Sequence, residues 1–462
     1  MSADALAIWQ AGVDAVTPER LFADKVLLEG TRLRIDEFEV DLGAARELII
    51  VGAGKAAAAM ANALHARVVL PLRQAASHMK IHGWLNCPAG TFLSQLPNDI
   101  HLHVARPAGV NLPTEQAIAG TRQILRLVEN CDQDTVVVCL LSGGGSALLV
   151  APPEGITLND KQAVSRYVAA AGGNIEQLNT IRRALSQVKG GGLARACRAG
   201  KLISIIISDV LGDPLDVIAS GPTLLSAKSD ARSALATLEE LQLTSCTDLQ
   251  NVVSYLRKQS PAKPASAIRG AAPDVAHIIL GNNADAVDAA GSMAVKLGYR
   301  YVMQAARESE GDVMQVARTA AAATLQLAGQ EQINCWISGG EPTVTLPAQG
   351  AGQGGRNQQL SLAVLQLLQE QGWPSEDTNA EQLAKRELVF LSGGTDGEDG
   401  PTAAAGAWFD RQVAVAAKAA KLDACDYLNR ADAYHFFEQC GGLLLCGPTG
   451  TNVCDLRVAL TR

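Results

Sequence analysis

The sequence predicts an α/β fold of two domains, each a mainly parallel sheet flanked by helices. Three observations predict it. Short β-branched and aliphatic runs recur, each stopping at glycine or aspartate, and helical periodicity often follows. Runs this short and apolar suit strands buried on both faces, and their alternation with helices suits parallel sheets. The tripeptide Ser-Gly-Gly closes three of them, at Ser142, Ser338 and Ser392, with no fixed period that would mark a solenoid. Finally, small residues dominate: 43 glycines against 4% aromatics favour helices lying close on a sheet.

Taken in order, the first run is ELIIVGAGK (47–55). Gly52, Gly54 and Ala57 match the G-x-G-x-x-G/A turn, which makes the first domain Rossmann-like. The acid expected about 20 residues on, to hold a ribose, is absent from PLRQAASHMK (71–80). The turn can still hold an anion at a helix start. Lys55 begins that helix, where the macrodipole disfavours a cation, so it points to solvent or meets an anion.

The second run, TVVVCLLSGGGS (135–146), ends in Gly143, Gly144, Gly145 and Ser146. Such a turn offers several N–H groups to a phosphate. Next, NTIRRALSQVKGGG places Arg182, Arg183 and Lys189 before three glycines, a fair phosphate contact or a solvated helix face. SIIISDVLGDP (204–214) ends a strand at Asp209, with Asp213 and Asp216 beyond. Carboxylates there hold Mg²⁺ or simply shape a turn.

KQSPAKPASAIRGAAPD (258–274) reads as a linker, giving a first domain of 1–257 and a second of 275–462. Within the second, INCWISGGE and ELVFLSGGTDG are strand candidates, and GWPSEDTNAEQLAKRE (372–387) reads as a surface loop. Arg356 follows Gly354-Gly355 at a helix start, and its rigid fork of donors suits carboxylate or phosphate. Asp396, Glu398 and Asp399 share one glycine-dense loop. His101 and His103 alternate in HLHV, a pattern better suited to structure than to metal.

Net charge of −8 and a pI near 5.5 argue against a nucleic-acid partner. The ten cysteines form no CxxC pair, as expected of reduced, buried thiols. No signal pattern or membrane-length apolar run is present, so the expectation is a cytoplasmic protein without a membrane partner.

Together, GAGKAA, LLSGGGSALL, LNTIRRALSQVKGGGLA, IISDVLGDPLDVIASGPT, ISGGEPTVTL, GQGGRNQQLSLA, SGGTDGEDGPTAAAGA and CGPTGTNVCDL resemble, in order, the glycerate 2-kinases of the MOFRL type, also known by the legacy name hydroxypyruvate reductase. The resemblance implies two α/β domains with the active site in a cleft. It implies transfer of the ATP γ-phosphoryl group to the 2-hydroxyl of D-glycerate, with Mg²⁺. It casts Lys55 and Arg356 as catalytic cations, and Gly143, Gly144, Gly145, Ser146 and Lys189 as nucleotide-phosphate contacts. Asn179, Arg182, Asp209 and Asp396 become candidates for substrate or metal. The chain departs from a common bacterial form in reading VARPAGVNLPTE for a His-Pro-x-Pro-Asp-like segment, and Ala184 for a histidine. Its wording is closer to the animal-like branch. Two alternatives stand beside the kinase. One is an NAD(P)-dependent hydroxypyruvate reductase, the other a non-catalytic sugar-phosphate-binding regulator. Monomer and homodimer are both compatible with the sequence.

Overall fold

The apolar runs become buried strands in a computed structural model that describes all residues except 77, 91–98, 108–111, 226–229, 261–271, 330–331, 348–349 and 375–385. The chain divides into two units. One comprises Leu21–Ser208 and Asp213–Leu280, and the other Met1–Arg20, Asp209–Gly212 and Gly281–Arg462.

The first unit begins with an antiparallel meander of β1 (Val26–Glu29), β2 (Arg32–Ile35) and β3 (Phe38–Asp41). Its main sheet comprises β4 (Glu47–Ala53), β5 (Lys80–Pro88), β6 (Ile100–Arg106), β7 (Thr135–Leu141), β8 (Lys201–Ile207) and β9 (Asp274–Gly281), in the order β6-β5-β4-β7-β8-β9. The pairs from β6 through β8 are parallel. Every residue of β7, and all of β4 after Glu47, is buried, as strands covered on both faces require. Counted within the sheet, the order is 3-2-1-4-5-6, which reverses between β4 and β7. In open α/β sheets that reversal opens the crevice where ligands bind. A satellite helical layer packs Val164, Ile181, Leu238 and Val253 from helices 158–170, 175–184, 231–240 and 250–259. Capping boxes at Thr157/Asp160 and Asn174/Gln177 fix where two of these helices start.

The second unit is built on β10 (Tyr301–Gln304), β11 (Cys335–Gly340), β12 (Leu388–Gly394), β13 (Gly406–Phe409), β14 (Leu443–Leu444) and β15 (Asp455–Thr461), in the order β10-β11-β15-β12-β13-β14. The α/β class holds for both units. In this sheet β10 and β11 pair in parallel, and β12 runs the same way. The late strand β15 inserts antiparallel between β11 and β12, so the neighbour pairing is mixed.

The domain limits differ from those read off the composition. Met1–Arg20 belongs with the C-terminal residues, because Ile8, Trp9 and Val13 bury against Val287, Ala290, Leu456 and Val458. Gly12 lets this helix approach closely: a Cβ there would meet the Ala286 carbonyl at 2.7 Å. At the other limit, β9 joins the first unit's sheet beside β8, so the first unit reaches Leu280. Of the proposed linker, Lys258 and Gln259 finish a helix and Asp274 starts β9, while 261–271 lie outside the described residues. So does most of the 372–387 loop.

Candidate active site

In the first unit, the carboxyl ends of β4 and β7 carry the GAGK and SGGGS turns side by side at the sheet's reversal. The turns are laced together. The Lys55 N–H donates to the Gly143 carbonyl at 2.8 Å, and the Ala56 N–H donates to Ser142 Oγ at 3.0 Å. Gly54 takes φ +151°, and a Cβ there would lie 2.1 Å from Ser142 Oγ, so only glycine fits. Gly144 sits at φ +77°, with Arg106 Nη2 3.1 Å and Lys55 Cγ 3.6 Å from where its Cβ would be. Two basic side chains therefore flank one bare glycine. The helix itself starts at Ala57, just past Lys55.

The dinucleotide reading of this turn fares poorly. Beside β4, β5 ends Asn86-Cys87-Pro88, with no acid for a ribose. The Asn86 side chain is already engaged, donating to the Leu148 carbonyl at 2.8 Å.

The end of the SGGGS turn meets a second polar group. Lys189, buried, donates from Nζ to the Ser146 carbonyl at 2.9 Å and to Ser220 Oγ at 3.4 Å. The Ser146 and Ser220 hydroxyls lie 2.9 Å apart. Ala219 and Ser220 both have positive φ, at 49° and 63°, which is costly for residues with a Cβ and marks an over-determined turn. The three glycines after Lys189 have a structural task. Gly190 and Gly191 donate to the Ser220 and Gly221 carbonyls, and a Cβ on Gly191 would come 2.4 Å from the Leu224 carbonyl. That segment is pinned by these contacts, and Lys189 stays beside SGGGS.

Arg182 lines the same pocket as Lys189 and Ser146. Asn179 is buried one turn earlier on Arg182's helix. Lys161, which sequence reasoning missed, completes the lining and donates to the Leu185 carbonyl at 2.8 Å. Burial pushes its ammonium down to about 7, with Arg182 adding to the effect. Burial, then Lys161 and Arg182, hold Lys189 well below the lysine range. Arg183, by contrast, pairs with Asp216 at 3.5 Å.

In the second unit, Arg356 opens the helix Arg356–Glu370. Its Nε and Nη2 donate to the two oxygens of Asp455 at 2.7 and 2.9 Å, and Nη1 meets Glu341 at 2.8 Å. Asp455 is fully buried at the head of β15, opposite Gly340 of β11 and Gly394 of β12. The Ser-Gly-Gly ends of β11 and β12 are thus closely filled by protein. A Cβ on Gly339 would strike Asn283 Oδ1 at 1.7 Å, and one on Gly340 would strike Glu310 Oε2 at 1.9 Å. These two glycine pairs serve packing, unlike the SGGGS turn. Asp399 caps the Arg356 helix, accepting from the N–H groups of Asn357 at 3.0 Å and Gln358 at 2.8 Å, and burial pushes its carboxyl up to about 7.

Acids gather around this arginine. The Cys454 thiol, whose Sγ donates to the Asp209 carbonyl at 2.9 Å, is pushed up by burial and then by Glu341, Asp209 and Asp455. Glu341 is raised by burial, and Asp455 and Asp396 act in the same direction against Arg356. Arg356, Asp209 and Asp396 are therefore brought into one neighbourhood, with Glu341, Asp455 and Cys454 as members that carried no sequence signal of their own. All three lay inside resemblance segments, Glu341 in ISGGEPTVTL and Cys454 and Asp455 in CGPTGTNVCDL, which offered the available hint. Among the described residues, no group of three or more His, Cys, Asp or Glu side chains is arranged to hold a metal. His101 and His103 stack on Trp84, with ring centroids 4.0 and 5.4 Å away, a structural arrangement.

Nested turns at a sheet reversal, with buried cations beside them, define an anion-handling α/β protein. Residues 4–257 match the family model described as "Domain of unknown function (DUF4147)", and residues 334–455 match the MOFRL family. The chain is 34% identical to rat glycerate kinase, covering 98% of this chain and 91% of that one. It is 32% identical to the D-glycerate 2-kinase of Thermotoga maritima, covering 99% and 97%. The crystal structure of glycerate kinase from Thermotoga maritima superposes with a TM-score of 0.76 at 30% identity, covering 100% of this chain and 99% of that one. The chain belongs to the glycerate kinase family, in its two-part DUF4147 and MOFRL form. The resemblance carried by the eight sequence segments is borne out, and the reductase alternative is not favoured. No helix among the described residues is long and apolar enough to cross a membrane.

Proposed function

We propose that this chain transfers the γ-phosphoryl group of ATP to the 2-hydroxyl of D-glycerate, giving 2-phosphoglycerate. The observation that carries the proposal is the interlocked GAGK and SGGGS pair at the sheet reversal, with Lys55 and Arg106 beside Gly144. Family membership narrows the anion chemistry to glycerate phosphorylation.

Phosphoryl transfer asks a protein mainly to hold donor and acceptor in line and to meet the charge that develops. Gly143–Ser146 and Lys189 are assigned to nucleotide phosphates. Lys55 and Arg356 are assigned to the transferred group or the glycerate carboxylate. Arg356 is oriented by Asp455, whose bidentate grip fixes the guanidinium plane. Its contact to Glu341 is the exchangeable one: Glu341 is part-exposed and its carboxyl is already raised by burial, so an incoming anion displaces it at lower cost than it would displace Asp455.

Mg²⁺ is assigned to the acids near Arg356, among which Asp396 acts on Glu341 and Asp209 on Cys454. Asp209 and Asp396 are the candidates to hold it. Mg²⁺ is commonly held by one or two carboxylates, with water and substrate phosphates completing its shell. When bound it would neutralise phosphate charge.

The test is a product assay with ATP, Mg²⁺ and D-glycerate. Enolase-coupled signal without added phosphoglycerate mutase is the expected result. Signal that appears only with mutase would make the enzyme a 3-kinase. Oxidation of NADH by hydroxypyruvate in place of either would revive the reductase reading.

A further inference from the structure

Beside the SGGGS turn, the first unit holds a cavity of about 100 Å³ lined by Ser146, Lys161, Gln162, Ser165, Arg182 and Lys189, among others. Three of these side chains are basic, and the amino groups of Lys161 and Lys189 belong to side chains at most 7% exposed. Each finds only neutral acceptors. Lys161 donates to the Leu185 carbonyl, Lys189 to the Ser146 carbonyl and Ser220 Oγ, and Arg182 to Ser165 Oγ. None takes part in an ion pair among the described residues; the neighbouring Arg183 and Arg166 are the ones paired, with Asp216 and Asp248. An ammonium has three donors and a guanidinium five, so most donors here remain unspent.

Buried cations without a counter-charge are expensive, and proteins normally pair them. Here three converge on one hollow instead. The hollow is far smaller than the roughly 300–1,000 Å³ of sites that enclose drug-sized ligands. It has room for a compact oxyanion and not for a nucleoside.

We propose that Lys161, Arg182 and Lys189 form a site for a single phosphate group, either free inorganic phosphate or one phosphoryl group of a bound nucleotide. Arg182 supplies the planar fork and the two lysines supply point charges. The anion replaces the missing counter-charge and takes up the unspent donors. Ser146 and Lys189 are shared with the kinase reading above, and the proposal rests on that reading only for its nucleotide arm.

Isothermal titration of the full-length protein with inorganic phosphate, at constant ionic strength, tests it. The expected result is saturable binding of one phosphate per chain, weakened about tenfold or more in Lys161→Met and in Arg182→Met. The surface variant Lys201→Met should bind like wild type. Absence of saturable binding, or wild-type affinity in either pocket variant, would overturn the proposal. Should either variant misfold by circular dichroism, wild-type melting decides: phosphate should raise Tm where chloride at equal ionic strength does not, and equal effects would refute the site. Repeating the titration with a non-hydrolysable ATP analogue bound identifies the source. Loss of phosphate binding assigns the pocket to a nucleotide phosphoryl group, and retained binding assigns it to free phosphate. A chain that binds phosphate in this way but makes no 2-phosphoglycerate would keep the pocket and lose the kinase.

Discussion

Arg356 and Lys55 carry the catalytic assignment, and their surroundings make different demands on them. Arg356 engages two carboxylates through three nitrogens. Lysine lacks that fork, so Arg356→Lys should lower kcat by about 100-fold or more despite keeping the charge. Lys55→Met should lower kcat by about 100–1,000-fold with folding intact, read by the enolase-coupled assay. Near-normal turnover in either would remove that residue from the mechanism. Lys161 makes a pH prediction whose sign is fixed. Its folded value is about 7 against an ordinary 10.5, so between those values the unfolded chain holds a proton that the folded chain does not. Stability from this group therefore rises with pH across that window. In phosphate-free buffer, Lys161→Met should flatten the rise seen by thermal unfolding, and an unchanged slope would mean that the ammonium is not depressed. Lys55, Arg356 and Lys189 were legible because glycines flank them. Lys161, Glu341 and Asp455 were not, because their partners are distant in sequence: Arg356 and Asp455 meet only when β15 forms.

The glycine-rich turns look alike in sequence and divide in the structure. Gly144 leaves an opening flanked by Lys55 and Arg106, whereas Gly191, Gly339 and Gly340 are filled by their own protein. Gly191→Ala places a methyl 2.4 Å from the Leu224 carbonyl at a left-handed φ, and should destabilise the first unit by about 1–3 kcal/mol in urea unfolding. Gly144→Ala also pays for its positive φ. Its methyl meets an arginine head, which can yield, so its larger expected effect is on the KM for ATP. Should Gly144→Ala leave nucleotide affinity unchanged, the SGGGS assignment would fail. Strand positions were readable from apolar runs bounded by glycine. What a glycine makes room for was not readable, because that depends on a neighbour such as Glu310 or Asn283 brought in from another element.

Across the whole molecule, chain order and unit membership disagree at both ends of the first unit. The composition break near 258–274 was visible, yet β9 beyond it completes the first sheet, and Met1–Arg20 packs with residues beyond 280. The first helix offered nothing in sequence to say which sheet it covers; its contacts to Val287 and Leu456 decide that. Trp9→Ala should cost the second unit about 3–5 kcal/mol, seen as earlier loss of that unit's amide-exchange protection while the first unit's is retained. Equal loss in both would mean that the two units unfold as one. The placement of β15 has a consequence for synthesis. β11 and β12 both pair with it, and the helix of Ile8 and Trp9 packs on it. On the ribosome, residues 21–280 can therefore fold while the second unit still lacks its central strand. The apolar face made first waits longest for its partner, through translation of some four hundred codons. Nascent chains stalled between these points should present Ile8 and Trp9 to chaperones, and release through residue 461 should end that exposure.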